Sequence, residues 1–289
     1  MPISGSNLAL PTRRQALGRL GCGAASLALA PLLGAAAAEE PTRPDPVETP
    51  GPGFTFVVLN DLHHAEPAAC DPWFTSLFDQ ITREHPSVKF CLALGDLVHR
   101  GKPECLAALA QLAARRLPVP FLPVPGNHDQ DLEQTPRLYL ESFPGRLNYT
   151  FRQDDWQFVM IDTTQGSEWV DTYVPAATLA WLDQTLPQLD RARPTVIGTH
   201  FPLSNVAPMC PLNADEVLAR FAGFALRGTF SGHHHAQTRR DRGAYELVTN
   251  VCCSRVAGNH DGSVTKGYFL VHASPEGRLT RRFVPLAFA

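Results

Sequence analysis

From residue 54 onward, runs of apolar residues alternate with stretches in which apolar residues recur every three or four positions. The runs predict buried strands and the wider spacing predicts amphipathic helices. The predicted strands cover 54–59, 88–94, 119–124, 149–151, 156–162, 195–198, 229–231, 245–251, 268–271 and 282–286. The predicted helices cover 71–81, 103–116, 175–189 and 213–226. In the first helix, Asp71 is predicted as the N-cap and Pro72 as a first-turn proline.

Strands and helices alternate up to about residue 228, after which the pattern is mostly strand-like. This order predicts an α/β fold in which two packed sheets are flanked by helices. The chain has 289 residues, 44% of them hydrophobic, which is enough for a sizeable buried core. No internal repeat divides it, so residues 54–289 are predicted to form one domain.

The first 38 residues differ from the rest, since they contain three arginines and no acidic residue. Arg13 and Arg14 precede an apolar run of small residues at 20–35, followed by three alanines. This pattern predicts a twin-arginine export signal, a mature chain starting near Glu39, and a periplasmic or extracellular location. The partner would be the twin-arginine export machinery. Residues 39–53, rich in proline and glycine, are predicted to be a linker.

An uncleaved membrane anchor is the alternative for the same segment. Its glycines, alanines and Pro31 make it a poor membrane span, so no stable span is expected in the mature chain. The net charge of −3 shows no basic excess, and nucleic acid binding is not expected. The six cysteines after residue 38 show no Cys-x-x-Cys spacing. Buried thiols are therefore favoured, although a disulfide stays open.

Polar residues follow five of the predicted strands. The five blocks are Asp61-Leu62-His63, Gly95-Asp96, Gly126-Asn127-His128-Asp129, Gly198-Thr199-His200 and Gly232-His233-His234-His235. Loops at the carboxyl ends of strands in an open α/β sheet face a shared crevice. In an extended Asp-x-His or His-x-His segment, alternate side chains point to one side. Oxygen and imidazole ligands without thiolates suit Fe, Mn, Zn or Co.

In this order, the five blocks resemble those of the calcineurin-like metallophosphoesterase family, and the resemblance extends from Phe54 to the C-terminus. It implies a four-layer αββα sandwich with mixed sheets and two divalent or trivalent metal ions. The implied ligands of the first metal are Asp61, His63, Asp96 and His235. Those of the second are Asp96, Asn127, His200 and His233, with Asp96 bridging. The resemblance also implies that His128 protonates or stabilises the leaving oxygen and that Asp129 orients the His128 ring.

Two cations about 3.5–4 Å apart can share a water and lower its pKa, which provides a hydroxide nucleophile. The expected activity is therefore hydrolysis of a small phosphoester, either a monoester or a diester. The segment Thr199-His200-Phe201-Pro202 is most similar to the cyclic-nucleotide phosphodiesterase-like branch. His99 stands where purple acid phosphatases have a tyrosine metal ligand. The charge-transfer colour of that group is therefore not expected here. The alternative is a catalytically silent metal- or phospho-ligand-binding module, which the presence of both His128 and Asp129 disfavours, because a pure binder needs no proton donor.

A second G-N-H-D string, Gly258–Asp261, comes after the last block. It lacks an apolar strand directly before it, so ligation is assigned to Asn127 and the later copy is interpreted as a polar turn. A substrate contact from that turn stays open. His234 is expected to point away from the metals. His64, His85, His99 and His272 have no motif support and are expected to be surface or packing residues. His64 and His99 adjoin ligand loops, so a role in supporting the ligands stays open for these two.

Overall fold

The computed structural model describes residues 51–204, 207 and 209–288. Five strands form the first sheet: β1 (Phe54–Leu59), β2 (Cys91–Leu94), β3 (Phe121–Val124), β10 (Gly267–Ala273) and β11 (Leu279–Pro285). Their order across the sheet is β11-β10-β1-β2-β3. The three strands β1, β2 and β3 are parallel, and β10 is antiparallel to both of its neighbours. The sheet is therefore mixed, as expected.

Six strands form the second sheet: β4 (Tyr149–Gln153), β5 (Trp156–Met160), β6 (Thr195–Thr199), β7 (Leu226–Ser231), β8 (Thr238–Asp241) and β9 (Glu246–Thr249). Their order is β4-β5-β6-β7-β9-β8. The four central strands are parallel, and each edge strand is antiparallel to its neighbour. The predicted strands 149–151 and 156–162 correspond to β4 and β5, which pair as an antiparallel hairpin.

The helices lie outside the two sheets. They are α1 (Pro67–Glu84), α2 (Pro103–Arg116), α3 (Arg137–Ser142), α4 (Ala176–Thr185) and α5 (Ala214–Arg220). One apolar cluster joins the first sheet to α1, α2 and α3. Another joins the second sheet to α4 and α5, and a third fills the space between the sheets. The predicted four-layer αββα sandwich is confirmed.

The alternation of side chains along β1 shows how the sequence builds these layers. Phe54, Phe56 and Val58 face the second sheet, whereas Val57 and Leu59 face the helices. Successive side chains of a strand point to opposite faces, so a strand buried on both faces is apolar throughout. Burying each such side chain stabilises the fold by about 1.5–3 kcal/mol. This packing holds the strand ends, and the loops after them, in fixed positions.

Helix α1 begins one turn earlier than predicted. Pro67 occupies its first turn, where a proline has no intrahelical N–H bond to lose, whereas Pro72 lies inside the helix. Asp71 is therefore not an N-cap. Its carboxylate instead lies 2.7 Å from Nε2 of the buried His64, so that histidine packs as a structural residue.

The predicted helix 213–226 is too long at its C-terminal end. The helix ends at Arg220, and Gly223 beyond it has φ 83°, a left-handed conformation that terminates helices. Strand β8 was not predicted from the sequence, because its residues are polar and alternate between half-buried and exposed. The six cysteines after residue 38 are free, five of them buried.

The predicted export signal at 1–38, and the linker at 39–53 except for its last three residues, lie outside the described part of the chain. Within that part, none of the helices has the length and apolar content that crossing a bilayer requires.

Candidate metal centre

The five polar blocks lie at the carboxyl ends of five parallel strands. Three of these strands, β1, β2 and β3, belong to the first sheet, and β6 and β7 belong to the second. Each strand ends one to three residues before its first predicted ligand. The site is therefore formed where the same ends of the two packed sheets meet, and neither sheet alone carries the full set of side chains.

The structure brings the predicted ligands into two adjoining groups. Potential ligand atoms of Asp61, His63, Asp96 and His235 lie within 4.8 Å of one another, and those of Asp96, His200 and His233 form a second such group. The side-chain oxygen of Asn127 lies 3.1 Å from Nε2 of His200, next to the second group. All seven side chains are buried. Asp96 belongs to both groups, as a bridging carboxylate requires.

The two oxygens of Asp96 face different groups. Its Oδ1 lies 3.2 Å from Nε2 of His200, and its Oδ2 lies 3.6 Å from Nε2 of His63. In the first group, Nε2 of His63 and Nε2 of His235 are only 3.2 Å apart. Two neutral imidazole nitrogens at that distance present facing lone pairs, which repel unless a proton or a cation lies between them. A proton can occupy that place in the metal-free protein, and the buried set of carboxylate oxygens and imidazole nitrogens around it also fits a transition-metal cation.

Backbone carbonyls fix the orientation of three of the imidazoles. Nδ1 of His200 lies 2.9 Å from the carbonyl of Leu94, and Nδ1 of His235 lies 2.8 Å from that of Gly258. For His233 the bonded atom is Nε2, 2.9 Å from the carbonyl of Trp169. A ring nitrogen that donates to a carbonyl carries the proton, so the other nitrogen keeps its lone pair for a metal.

Trp169 was missed in the sequence analysis. Its contribution to the site is a backbone carbonyl, which every residue type carries, so the sequence contains no signal for it.

Burial and the mixture of charges set the ionisation of the ligands. Burial lowers the pKa of both His63 and His233 to about 3. Burial opposes the charged form of His235 as well, but the Asp61 carboxylate outweighs it and raises that pKa to about 11. For Asp61 and Asp96, burial raises the pKa, yet the surrounding histidines outweigh burial and lower it. Two ionised carboxylates thus face the neutral imidazoles of His63 and His233, a combination that attracts cations.

The backbone at the site is strained. Five of the seven predicted ligands have φ values between 47° and 65°: Asp61, His63, Asp96, His233 and His235. Such left-handed conformations are uncommon outside glycine and cluster at functional sites. The glycines of the blocks allow close approach instead. A Cβ on Gly126 would lie 2.1 Å from the backbone nitrogen of Asp96, and one on Gly95 would lie 2.4 Å from the His200 ring.

His128 lies beside the first group, with its ring centre 4.8 Å from that of His63. The expectation that Asp129 orients this ring is wrong. The carboxylate of Asp129 accepts backbone N–H bonds from Leu97, Val98 and Gly126, at 3.1, 2.9 and 2.7 Å. Asp129 is fully buried and ties the second block to the third.

The carbonyl of His99 orients the His128 ring instead, at 2.6 Å from Nδ1. The imidazole of His99 stacks on that of His128 at 5.6 Å, and nitrogens of both rings lie within 4.8 Å of one of His63. His99 is thus part of the site, in the supporting role that its place beside a ligand loop left open, and is not an ordinary surface residue.

The second G-N-H-D string also lies at the site. The carbonyl of Gly258 bonds to His235, and the His260 ring stacks on the His235 ring with centres 4.7 Å apart and planes 20° apart. The side-chain amide of Asn259 bonds to backbone groups of its own loop, whereas Oδ1 of Asn127 lies 3.1 Å from Nε2 of His200. The string is more than a polar turn, because it contacts a predicted metal ligand.

These features define the chain as an αββα sandwich with a candidate dinuclear metal centre at the carboxyl ends of its strands. The chain belongs to the calcineurin-like phosphoesterase family, whose sequence model matches residues 54–237. A 3',5'-cyclic-nucleotide phosphodiesterase of Nostoc sp. is 28% identical over 175 residues, which cover 58% of this chain and 64% of the relative. A probable cyclic nucleotide phosphodiesterase of Rhodopseudomonas palustris is 29% identical over 51% of this chain and 57% of the relative. The matches thus span less than two thirds of either relative.

Solved structures show the same fold at low sequence identity. The purple acid phosphatase of yellow lupin (Lupinus luteus) seeds has a TM-score of 0.59 and 14% identity, over 82% of this chain and 53% of that chain. GAP50, described as the anchor in the inner membrane complex of Plasmodium, has a TM-score of 0.56 and 14% identity, over 82% and 86%. These two likenesses concern the fold alone.

Proposed function

We propose that this protein is an exported phosphoester hydrolase that depends on two metal ions, with phosphodiesters as its preferred substrates. The observation that carries the proposal is the pair of ligand groups sharing Asp96. Family membership supports the reaction class, and the names of the two curated relatives favour diesters. Each bound metal would polarise the phosphoryl group and activate water.

The residues of the chain have separable roles in this reaction. Asp61, His63 and His235 would hold one metal, His200, His233 and Asn127 the other, and Asp96 would bridge them. His128 donates from Nδ1 to the His99 carbonyl, so Nε2 is the nitrogen that can hold a proton for the leaving oxygen. A positioned imidazole of this kind contributes about 10²–10⁴-fold to the rate. A pure binding module would have no use for this proton donor.

The test uses purified protein, stripped of metal with a chelator and then loaded with Mn²⁺. We expect hydrolysis of bis(4-nitrophenyl) phosphate, slower hydrolysis of 4-nitrophenyl phosphate, and no turnover with either before loading. His200→Ala should remain inactive after loading. Protein that binds Mn²⁺ but hydrolyses neither ester would contradict the enzymatic proposal and favour the binding module. Since several metals suit these ligands, Fe, Zn and Co are tested in parallel.

Export is the second part of the proposal, supported by the arginine pair before the apolar segment. In a bacterial host with an active twin-arginine pathway, we expect the protein in the periplasmic or extracellular fraction. N-terminal sequencing should begin near Glu39. Arg13→Lys combined with Arg14→Lys should keep the protein in the cytoplasm. Periplasmic protein that still starts at Met1 would instead indicate an uncleaved anchor.

A further inference from the structure

The loop that follows β9 contacts the back of one predicted metal ligand. His235 meets Gly258 and His260 through three contacts: Nδ1 to the Gly258 carbonyl at 2.8 Å, the His260 N–H to the His235 carbonyl at 3.3 Å, and stacking of the two rings. Gly258 and His260 flank a single residue, Asn259. The position of that residue therefore decides whether both neighbours reach His235.

Both polar atoms of the Asn259 side-chain amide form hydrogen bonds. Its Oδ1 accepts the N–H of Cys252 at 3.1 Å, just beyond the end of β9. Its Nδ2 donates to the carbonyls of Ser263 and Thr265 at 3.0 and 2.8 Å, just before β10. One side chain thus joins the start of the loop to its end, with the His235 contacts between them.

Lys266 adds a second closure of the same loop. Its Nζ lies 2.7 Å from the carbonyl of Ala257 and 2.8 Å from Sγ of Cys252. Gly258, His260 and the residues from 261 to 265 are exposed. Apolar packing therefore contributes little to the shape of the loop, and these polar contacts have to maintain it.

We propose that Asn259 is a positioning residue for the metal ligand His235, and that the second G-N-H-D string orients the first of the two metal sites. A ligand imidazole is held in direction and tautomer by what its outer nitrogen binds, and loss of such partners typically weakens metal binding 10–100-fold. The inference rests on the proposed function, because it requires His235 to bind a metal. With Asn127 as the metal ligand, the second G-N-H-D string has no ligand of its own, and the proposal gives it the role of orienting His235.

The test is a calorimetric titration of the metal-stripped full chain with Mn²⁺. The variant His235→Gln shows which binding step belongs to the first metal site, because that step should be weaker in the variant than in wild type. Asn259→Ala should weaken that same step about 10–100-fold and leave the other step within a few-fold of wild type. Asn259→Asp keeps an oxygen for the Cys252 N–H but loses the three Nδ2 bonds, so it should weaken that step less than Asn259→Ala does.

Asn213→Ala is the matched control, because the Asn213 amide also closes a loop, with Oδ1 and Nδ2 bonded to the backbone of Val174. It should lower the thermal stability of the metal-free protein about as much as Asn259→Ala does, without weakening the first step. An Asn259→Ala variant that binds Mn²⁺ like wild type, or that weakens both steps equally, overturns the positioning role. Wild-type protein that binds no Mn²⁺ overturns the proposed function together with it.

Discussion

The sharpest test of the dinuclear centre is Asp96→Asn. It replaces one carboxylate oxygen by an NH₂ group and removes the negative charge, without changing the size of the side chain. Asp96 belongs to both ligand groups, so the substitution should weaken both metal sites. The variant should still fold, because asparagine keeps an acceptor for the His128 N–H, which Asp96 binds at 2.9 Å.

The magnitude follows from the lost charge. A unit negative charge about 4 Å from a divalent cation contributes roughly 8 kcal/mol at an effective dielectric constant of 20. Relief of the repulsion between Asp61 and Asp96, together with the oxygen ligand that asparagine retains, offsets about half of that contribution. About 3–4 kcal/mol per site corresponds to a hundred- to thousand-fold loss of affinity. Turnover should fall below detection at Mn²⁺ concentrations that saturate wild type.

The assay is equilibrium dialysis against Mn²⁺ followed by elemental analysis of the protein. Wild type should hold two ions per chain and Asp96→Asn close to none at low micromolar Mn²⁺. Asn127→Ala serves as the contrast, since that side chain lies beside the second group alone and should cost one ion. If Asp96→Asn retains one ion at wild-type affinity, Asp96 does not bridge, and the assignment of the two groups is refuted.

Three further changes test other parts of the site. His128→Ala should lower kcat about 10²–10⁴-fold while two metals stay bound; a loss of metal in dialysis would show that His128 ligates. Asp129→Asn should lower the free energy of unfolding by about 3 kcal/mol, because an NH₂ group then faces backbone donors; unchanged denaturation by urea would contradict this. In chelated protein, the lowered pKa values of His63 and His233 mean that the unfolded chain binds more protons below its histidine pKa of 6.5. The stability contributed by these two histidines should be complete above pH 6.5 and fall by about 1.4 kcal/mol per pH unit for each of them as the pH drops towards 3. Flat melting temperatures between pH 6.5 and 4 would refute it.

Much of the fold was predictable because its strands are buried on both faces. β1 and α2 have their predicted limits, since an uninterrupted apolar run and a regular helical spacing are local signals. The limits of α5 and the polar strand β8 depended on tertiary context, because a glycine conformation stops the helix and pairing with β9 alone makes the strand.

At the candidate site, too, some features were predictable from the sequence and others depended on the fold. The side-chain types that could bind a metal were visible, because carboxylates and imidazoles after strands are uncommon and carry their chemistry in the sequence. The roles of the Trp169 and His99 carbonyls were not visible, since backbone groups are the same at every position. The family resemblance implied that Asp129 orients His128, whereas its partners in the fold are the backbone N–H groups of Leu97 and Val98, in the loop after β2, and of Gly126.

The strained ligands and the carbonyl acceptors together indicate a site whose shape is fixed before any cation binds. Left-handed conformations cost about 1–3 kcal/mol each, so they persist because backbone bonds such as His63 N–H to the Asp96 carbonyl, at 2.8 Å, hold the loops. The Asp61 carboxylate accepts the His233 N–H at 3.0 Å and so connects the two sheets. Because packing between the sheets stabilises these contacts, little of the binding energy of a cation would be spent on ordering the loops. The charge and the lone pairs of the ligands can then act fully on the ion and on a phosphoester bound to it.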